Sequence, residues 1–309
     1  MLNVENLSVS FSRYQGLLRR RDLTVLDGVD VTVQPGQLVA MIGQSGGGKS
    51  LLAHAVLGIL PRNARQEGRL TFEGQVLDTR LQKRLRGRRM VLVPQSVTWL
   101  DPTASAGRQV GWGARAAGRD PSRDAVAHEF ARYGLEREAM ALFPHQLSGG
   151  MARRVLTAIA TMAQADLLIA DEPTSGLDPT VRSVALTLLR RLADEGRAVL
   201  VISHDLSAVL PVADTVTVLH NGRTVEIAPG AMIRETGPRH PYSKALWAAL
   251  PENGFNAAPG SSGNPDQKDR GRDMGCGFLG ACGSAIDPCH RIPPPWTPGP
   301  GMKARCHCA

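Results

Sequence analysis

Eight residues constrain this chain more than any others. Gly43-Gln44-Ser45-Gly46-Gly47-Gly48-Lys49-Ser50 stands between the apolar run Leu38 to Ile42 and the apolar-periodic stretch Leu51 to Leu57. A GxxxxGK[ST] sequence preceded by a buried strand and followed by a helix is a phosphate-cradling loop. Its glycines let the backbone curl until several N–H groups face one phosphate, and the next helix adds the positive end of its dipole. In such a loop Lys49 reaches the β- and γ-phosphates and the Ser50 hydroxyl ligates Mg²⁺.

The flanking sequence supports an α/β architecture. Leu2 to Phe11 and Leu23 to Val33 alternate apolar and polar residues as strands do, Gly68 to Gly74 reads as an edge strand, and Met90 to Val93 as a buried strand stopped by Pro94. From about Ala104 to Ala163 the pattern is mostly helical, with a helix start at Pro121-Ser122 and a break at Pro144. Then strands (Asp166 to Ala170, Ala198 to Ser203, Val216 to Leu219) alternate with helices (Pro179 to Glu195, Asp205 to Ala213), which implies βαβ units and a parallel sheet. After Pro251 the chain turns rich in Gly, Pro, Ser and Asn, with runs such as Ala258 to Gly263 and Pro293 to Pro295. We read 1–250 as one domain and 251–309 as a linker and small tail without a core of its own.

With 42% hydrophobic and 21% charged residues among 309, the composition is that of a globular chain able to bury a core. The formal charge of +8 suits nucleic acid or an anionic membrane surface. However, the basic clusters Arg19–Arg21, Arg84–Arg89, Arg153–Arg154 and Arg190–Arg191 are scattered and not interleaved with aromatics. They read as solvated faces and helix ends, and no nucleic-acid partner is expected. The first residues show no secretory signal, and no apolar stretch approaches the ~18 residues of a membrane span, so membrane association is expected to go through partner proteins.

Two further elements carry chemistry. Leu167-Leu168-Ile169-Ala170 reads as a buried parallel strand delivering Asp171 and Glu172 at its C-terminal end, where α/β ligand sites lie. There Asp171 would hold Mg²⁺ through water and Glu172 would polarise an attacking water; a merely solvated acidic strand end is the plain alternative. In Leu147-Ser148-Gly149-Gly150-Met151, Ser148 can cap a helix whose first N–H groups the two glycines expose, a second anion-binding terminus.

At this point the sequence resembles the ABC ATPases, whose signature reads LSGGQ, over about residues 1 to 250. The likeness continues through Gln95 after Val93-Pro94, Ser175-Gly176-Leu177-Asp178, and His204 in Val201-Ile202-Ser203-His204. It implies an α/β P-loop NTPase with a RecA-like mixed-sheet core, an N-terminal antiparallel β subdomain, a helical subdomain at about 97–163 and a short Cys-rich C-terminal extension. It implies ATP hydrolysis with Mg²⁺ held by Ser50, Gln95 and Asp171, and a dimer with a second ATPase subunit. Ser148, Gly149 and Gly150 of one subunit would close over the γ-phosphate held by the other's Gly43–Ser50 loop. By the same resemblance Gln95 also contacts the membrane partner, His204 contacts the γ-phosphate, Asp178 crosses the dimer interface, and Phe11 stacks on adenine, with Tyr14 the alternative. Two permease subunits, and indirectly an extracytoplasmic binding protein, complete the implied machine at the cytoplasmic face of the inner membrane.

Met151 in place of the usual Gln, Gln44-Ser45-Gly46 in the loop, and His240-Pro241-Tyr242-Ser243-Lys244-Ala245-Leu246 look like the importers for di- and oligopeptides, nickel and metal-opine complexes. A non-transport ABC ATPase and an exporter subunit are the competing readings. All five cysteines lie at or beyond Cys276. The spacing of Cys276, Cys282, Cys289 and Cys306 is similar to the C-terminal pattern of that importer group, and thiolates converging there can ligate a [4Fe–4S] cluster or zinc, or remain free thiols. The absence of CxxC pairs weighs against zinc.

Overall fold

The computed structural model describes residues 1–15, 19–254, 275–299 and 301–308. Strands β1 (Leu2–Gln15), β2 (Arg19–Val33), β4 (Ala64–Phe72) and β5 (Gln75–Val76) form an antiparallel sheet in the order β2-β1-β4-β5. The stretch read as an edge strand thus lies inside the sheet, shielded by the two-residue β5. One apolar face, with Leu2, Val4, Leu7 and Val9 of β1 and Val29, Val31 and Val33 of β2, packs on helix α1 (Lys49–Leu57) in one core cluster.

Among the described residues the second sheet has eight strands. Its centre is β3 (Leu38–Gly43), every residue buried, flanked in parallel by β8 (Ala198–Ser203) and β9 (Thr215–His220). Beyond β8 the parallel order continues through β7 (Leu167–Asp171) to β6 (Met90–Val93). Continuous apolar runs suit strands covered on both faces. One side is covered by α1 and α2 (Thr79–Leu85), the other by α6 (Pro179–Asp194), the short α7 (Leu206–Val209) and α8 (Gly230–Thr236). Helices α3 (Ala106–Ala116), α4 (Arg123–Arg132) and α5 (Gly149–Met162) make the helical subdomain, with Phe130, Val110 and Val155 fully buried.

Beyond β9, β10 (Arg223–Pro229) turns back antiparallel through Asn221-Gly222. Both residues have positive φ (48° and 77°), as a two-residue hairpin of primed type requires, and a Cβ on Gly222 would lie 2.0 Å from the Val25 carbonyl oxygen. Helix α9 (Pro241–Ala248) follows, and the tail then adds β11 (Trp296–Gly299) and β12 (Met302–Arg305) to the sheet, β12 pairing with β10.

The segment 251–309, expected to have no core of its own, packs its described part onto the main core. Phe278, Cys289, Met302, Ala304 and Cys306 are all buried, because the segment extends an existing core rather than building one. Arg305 also pairs with Asp30 of β2 at 2.6 Å, tying the tail to the first sheet. The run Ala258 to Gly263, read as linker, lies outside the described residues. No helix among the described residues is long and apolar enough to cross a membrane.

Candidate nucleotide site

The loop after β3 is built as its sequence requires. Gly48 has φ 87° and opens α1 with no side-chain cap, so the first N–H groups of the helix stay available to an anion. Gln44, Ser45 and Gly46 are exposed, and a Cβ on Gly46 would meet nothing within 4 Å. Lys49 is buried beneath them and donates to the carbonyls of Gly43 (2.7 Å) and Gln44 (2.9 Å).

Strands β7 and β8 bring the remaining polar groups here. Asp171 ends β7 opposite Ile202, which places Glu172 beside His204: Nδ1 of the histidine lies 2.8 Å from Glu172 Oε2. Glu172 Oε1 is 3.8 Å from Lys49 Nζ. Glu172 itself sits at φ 49°, a conformation that costs a non-glycine residue about 1 kcal/mol, and its N–H donates to the Ile202 carbonyl at 2.9 Å.

Burial lowers the Lys49 ammonium, opposed by Glu172 and then Asp171. Burial likewise raises Asp171, opposed by a hydrogen bond from the Ser50 side chain. Asp171 Oδ1 is buried without a hydrogen-bond partner among the described residues. Such an orphaned acceptor beside a hydroxyl and the open loop suits a hydrated Mg²⁺, so the donor set fits that ion.

Gln95 lies exposed just past β6, which pairs Val93 with Ala170 and so ends at the same edge as Asp171. Phe11 is half-buried in β1, opposite Leu23 and Ala64. The side chain of Tyr14 lies outside the described residues. Ser148 caps α5, accepting from the Met151 N–H at 3.2 Å, and Gly149 and Gly150 present an open face where added Cβ atoms would meet nothing within 4 Å. Among the described residues no hydrogen bond joins Ser148, Gly149 or Gly150 to the Gly43–Ser50 loop. Asp178 caps α6, accepting from the N–H groups of Thr180 and Val181, both at 3.1 Å.

Arg153 and Arg154, read as a solvated helix face, are structural links. Arg153 donates to the Glu172 carbonyl at 3.2 Å, and Arg154 to the carbonyls of Tyr133 (3.3 Å) and Gly134 (2.9 Å).

The tail cysteines gather as well. Burial raises the Cys276 thiol; the Phe278 backbone opposes this, and the thiols of Cys289, Cys306 and Cys282 add to it. The Cys276 N–H donates to the Cys289 carbonyl at 2.7 Å, and the Cys308 N–H to Cys306 Sγ at 3.3 Å. Among the described residues no three His, Cys, Asp or Glu side chains are arranged to hold a single metal ion.

Next to them His220 and His240 are buried, and burial lowers both imidazoles to about 4, helped at His240 by His220. Unfolded, they titrate near 6.5. The unfolded chain therefore binds more protons below that pH: stability is full above pH 6.5 and falls as pH drops toward 4. The loss should reach on the order of 3 kcal/mol. Thermal unfolding followed from pH 7.5 to pH 4.5 checks this; a flat profile would contradict it.

A sequence profile described as ABC transporter matches residues 26–175, and one described as oligopeptide/dipeptide transporter, C-terminal region, matches 225–289. The oligopeptide transport ATP-binding protein OppD of Salmonella typhimurium is 34% identical over 99% of this chain and 93% of its own length. The dipeptide transport ATP-binding protein DppD of Bacillus subtilis is 32% identical over 96% of this chain and 91% of its own. Among solved structures, an ATP-binding cassette in a dimeric post-hydrolysis state with ADP and Pi shares the fold, with TM-score 0.65 and 23% identity over 74% of this chain and 98% of that one. The cbiO1 subunit from Clostridium perfringens superposes with TM-score 0.61 and 25% identity over 81% of this chain and 94% of its own.

Proposed function

Because this chain belongs to the ABC transporter ATP-binding proteins of the oligopeptide/dipeptide group, we propose that it is one of two ATPase subunits driving peptide import through two permease subunits. ATP hydrolysis coupled to transport is the activity of the family. The cargo, the partners and a peripheral place at the inner face of the membrane are our reading. Relatives named for oligopeptides and dipeptides favour peptides over nickel or metal-opine complexes. The match of the C-terminal region favours an importer over an exporter or a non-transport ATPase.

The observation that carries the mechanism is the convergence of Lys49, Ser50, Asp171, Glu172 and His204 under an open, uncapped helix terminus. Phosphoryl transfer to water needs positioning and charge neutralisation more than covalent chemistry. Lys49 and the loop amides would bind the phosphates, Ser50 and Asp171 would hold Mg²⁺ with Gln95 approaching from β6, and Glu172, oriented by His204, would take the proton of the attacking water. Phe11 would stack on adenine. The exposed Ser148-Gly149-Gly150 terminus, unattached to its own chain's loop, would close over the nucleotide of the second ATPase subunit. Co-reconstitution with the permeases and the external binding protein tests this: peptide should stimulate ATP hydrolysis and accumulate in vesicles, and stimulation by nickel complexes alone would overturn the cargo.

The gathered thiols of Cys276, Cys282, Cys289 and Cys306 support a [4Fe–4S] cluster. A lone zinc ion needs its thiolates within about 2.3 Å of one point, whereas a four-iron cluster spreads them over its corners. The Cys308 N–H aimed at Cys306 Sγ suits a ligating thiolate, and the cluster would serve to staple the tail. Anaerobically purified protein should carry iron and labile sulfide with broad visible absorbance; their absence would refute the cluster.

A further inference from the structure

The His240-Pro241-Tyr242 segment sits at a junction that the nucleotide chemistry above does not use. The fully buried Glu226 carboxylate accepts from the N–H groups of Arg239 (2.7 Å) and His240 (3.1 Å). His240 Nδ1 accepts from the Tyr242 N–H at 3.1 Å, which fixes the start of α9. Tyr242, 3% exposed, lies with its ring centroid 4.0 Å from that of His220, and Phe278 of the tail sits 5.5 Å from both. Phe278 is held there because the Gly277 carbonyl accepts from Asn221 Nδ2 at 3.0 Å and faces His220 Nε2 at 3.2 Å.

The other side of this aromatic group is the nucleotide loop. Leu219, next to His220, pairs with Gly43 across β9 and β3. The Tyr242 hydroxyl is buried with no well-aligned hydrogen-bond partner among the described residues, and it stands against the backbone of Gln44. Burial pushes that hydroxyl up to about 12, and the Gln44 backbone opposes the shift. Gln44 is tied into the loop on its other side: its carbonyl accepts from both Lys49 (2.9 Å) and the Gly47 N–H (3.1 Å).

We propose that Tyr242 is a positioning residue for the nucleotide loop, bracing the Gln44 backbone where the loop leaves β3, and that the C-terminal module holds it in place through Phe278. Lys49 must release the Gln44 carbonyl to reach a phosphate, and the hydroxyl against that backbone keeps the loop in shape as it does so. The tail thereby acts on ATP affinity over a chain of three packed rings, Phe278, His220 and Tyr242. This rests on the assignment of the Gly43–Ser50 loop as the ATP site.

The full-length protein tests it by equilibrium ATP binding alongside steady-state hydrolysis; the binding arm stands whatever the cargo and membrane partners are. Tyr242→Phe keeps the ring and removes the hydroxyl. It should raise the dissociation constant and KM for ATP about threefold to tenfold, with kcat unchanged within twofold. Phe278→Ala should do the same, and Phe278→Tyr, which restores an aromatic ring, should recover at least half of the loss. The double variant should be less than multiplicative, since both act through one contact. A lowered melting temperature with unchanged ATP affinity would reduce these residues to packing and overturn the proposal, as would multiplicative effects of the pair for the role of the tail. A parent chain that binds no ATP would overturn the site assignment itself.

Discussion

Glu172→Gln should bind ATP with near wild-type affinity and turn it over at least about a hundredfold more slowly, since a general base contributes 10²–10⁴. The substitution is isosteric. The amide can keep the contact that His204 Nδ1 makes at 2.8 Å, and the backbone bonds from Glu172 N–H to Ile202 and from Arg153 to the Glu172 carbonyl do not involve the side chain. What is lost is the negative charge and the capacity to accept a proton from water. Removing the carboxylate also removes the first influence opposing the desolvation of Lys49, so phosphate charge must hold that ammonium protonated. Binding is read by calorimetry and turnover by phosphate release in a single-turnover format, which separates chemistry from product release. Near-normal hydrolysis would remove Glu172 from the mechanism and leave His204, 49% exposed beside it, as the alternative base.

What the sequence discloses and what it hides divide along the chain's locality. Gly43–Ser50 and Leu167–Glu172 are legible because each is a contiguous strand-to-turn unit whose apolar run and polar terminus define one another. Strand β8 is read to its last residue for the same reason. The helix expected from Asp205 to Ala213 stops at Val209 instead, because Pro211 supplies no N–H and its ring clashes with the preceding turn. The Glu172–His204 pair depends on parallel β7–β8 register, and the docking of β12 on β10 joins residues more than seventy positions apart. Neither has a local signature. Asn221-Gly222, between two apolar-alternating runs, did carry a hairpin signal and would have predicted β10. Arg153, one of a basic pair on an amphipathic helix, looks solvated until Glu172, just past β7, packs beside it.

Lys49→Ala is the second large effect, and it acts on binding rather than on chemistry. In the free protein the ammonium satisfies the Gly43 and Gln44 carbonyls and stands 3.8 Å from Glu172, a compact arrangement for an ion kept at 5% exposure. ATP offers it better partners, because hydrogen bonds between charged groups contribute about 1.5–3 kcal/mol against roughly 1 for the neutral carbonyls they replace. Two such bonds, to the β- and γ-phosphates, net of the two carbonyl bonds they replace, correspond to about 1–4 kcal/mol, a loss of roughly fivefold to several hundredfold in affinity when the side chain is cut to alanine. The fold should survive, since the loop's shape is also held by the Gly47 N–H to Gln44 carbonyl bond and by the Leu51 N–H to Gly48 carbonyl bond at the first turn of α1. A ligand that binds only the native state raises the melting temperature in proportion to ln(1 + [L]/Kd). Saturating MgATP should therefore stabilise the wild-type protein and Glu172→Gln alike while raising the midpoint of Lys49→Ala by clearly less. Equal stabilisation of all three would show that the phosphates are held by the loop amides alone, and that Lys49 serves the empty loop rather than the nucleotide.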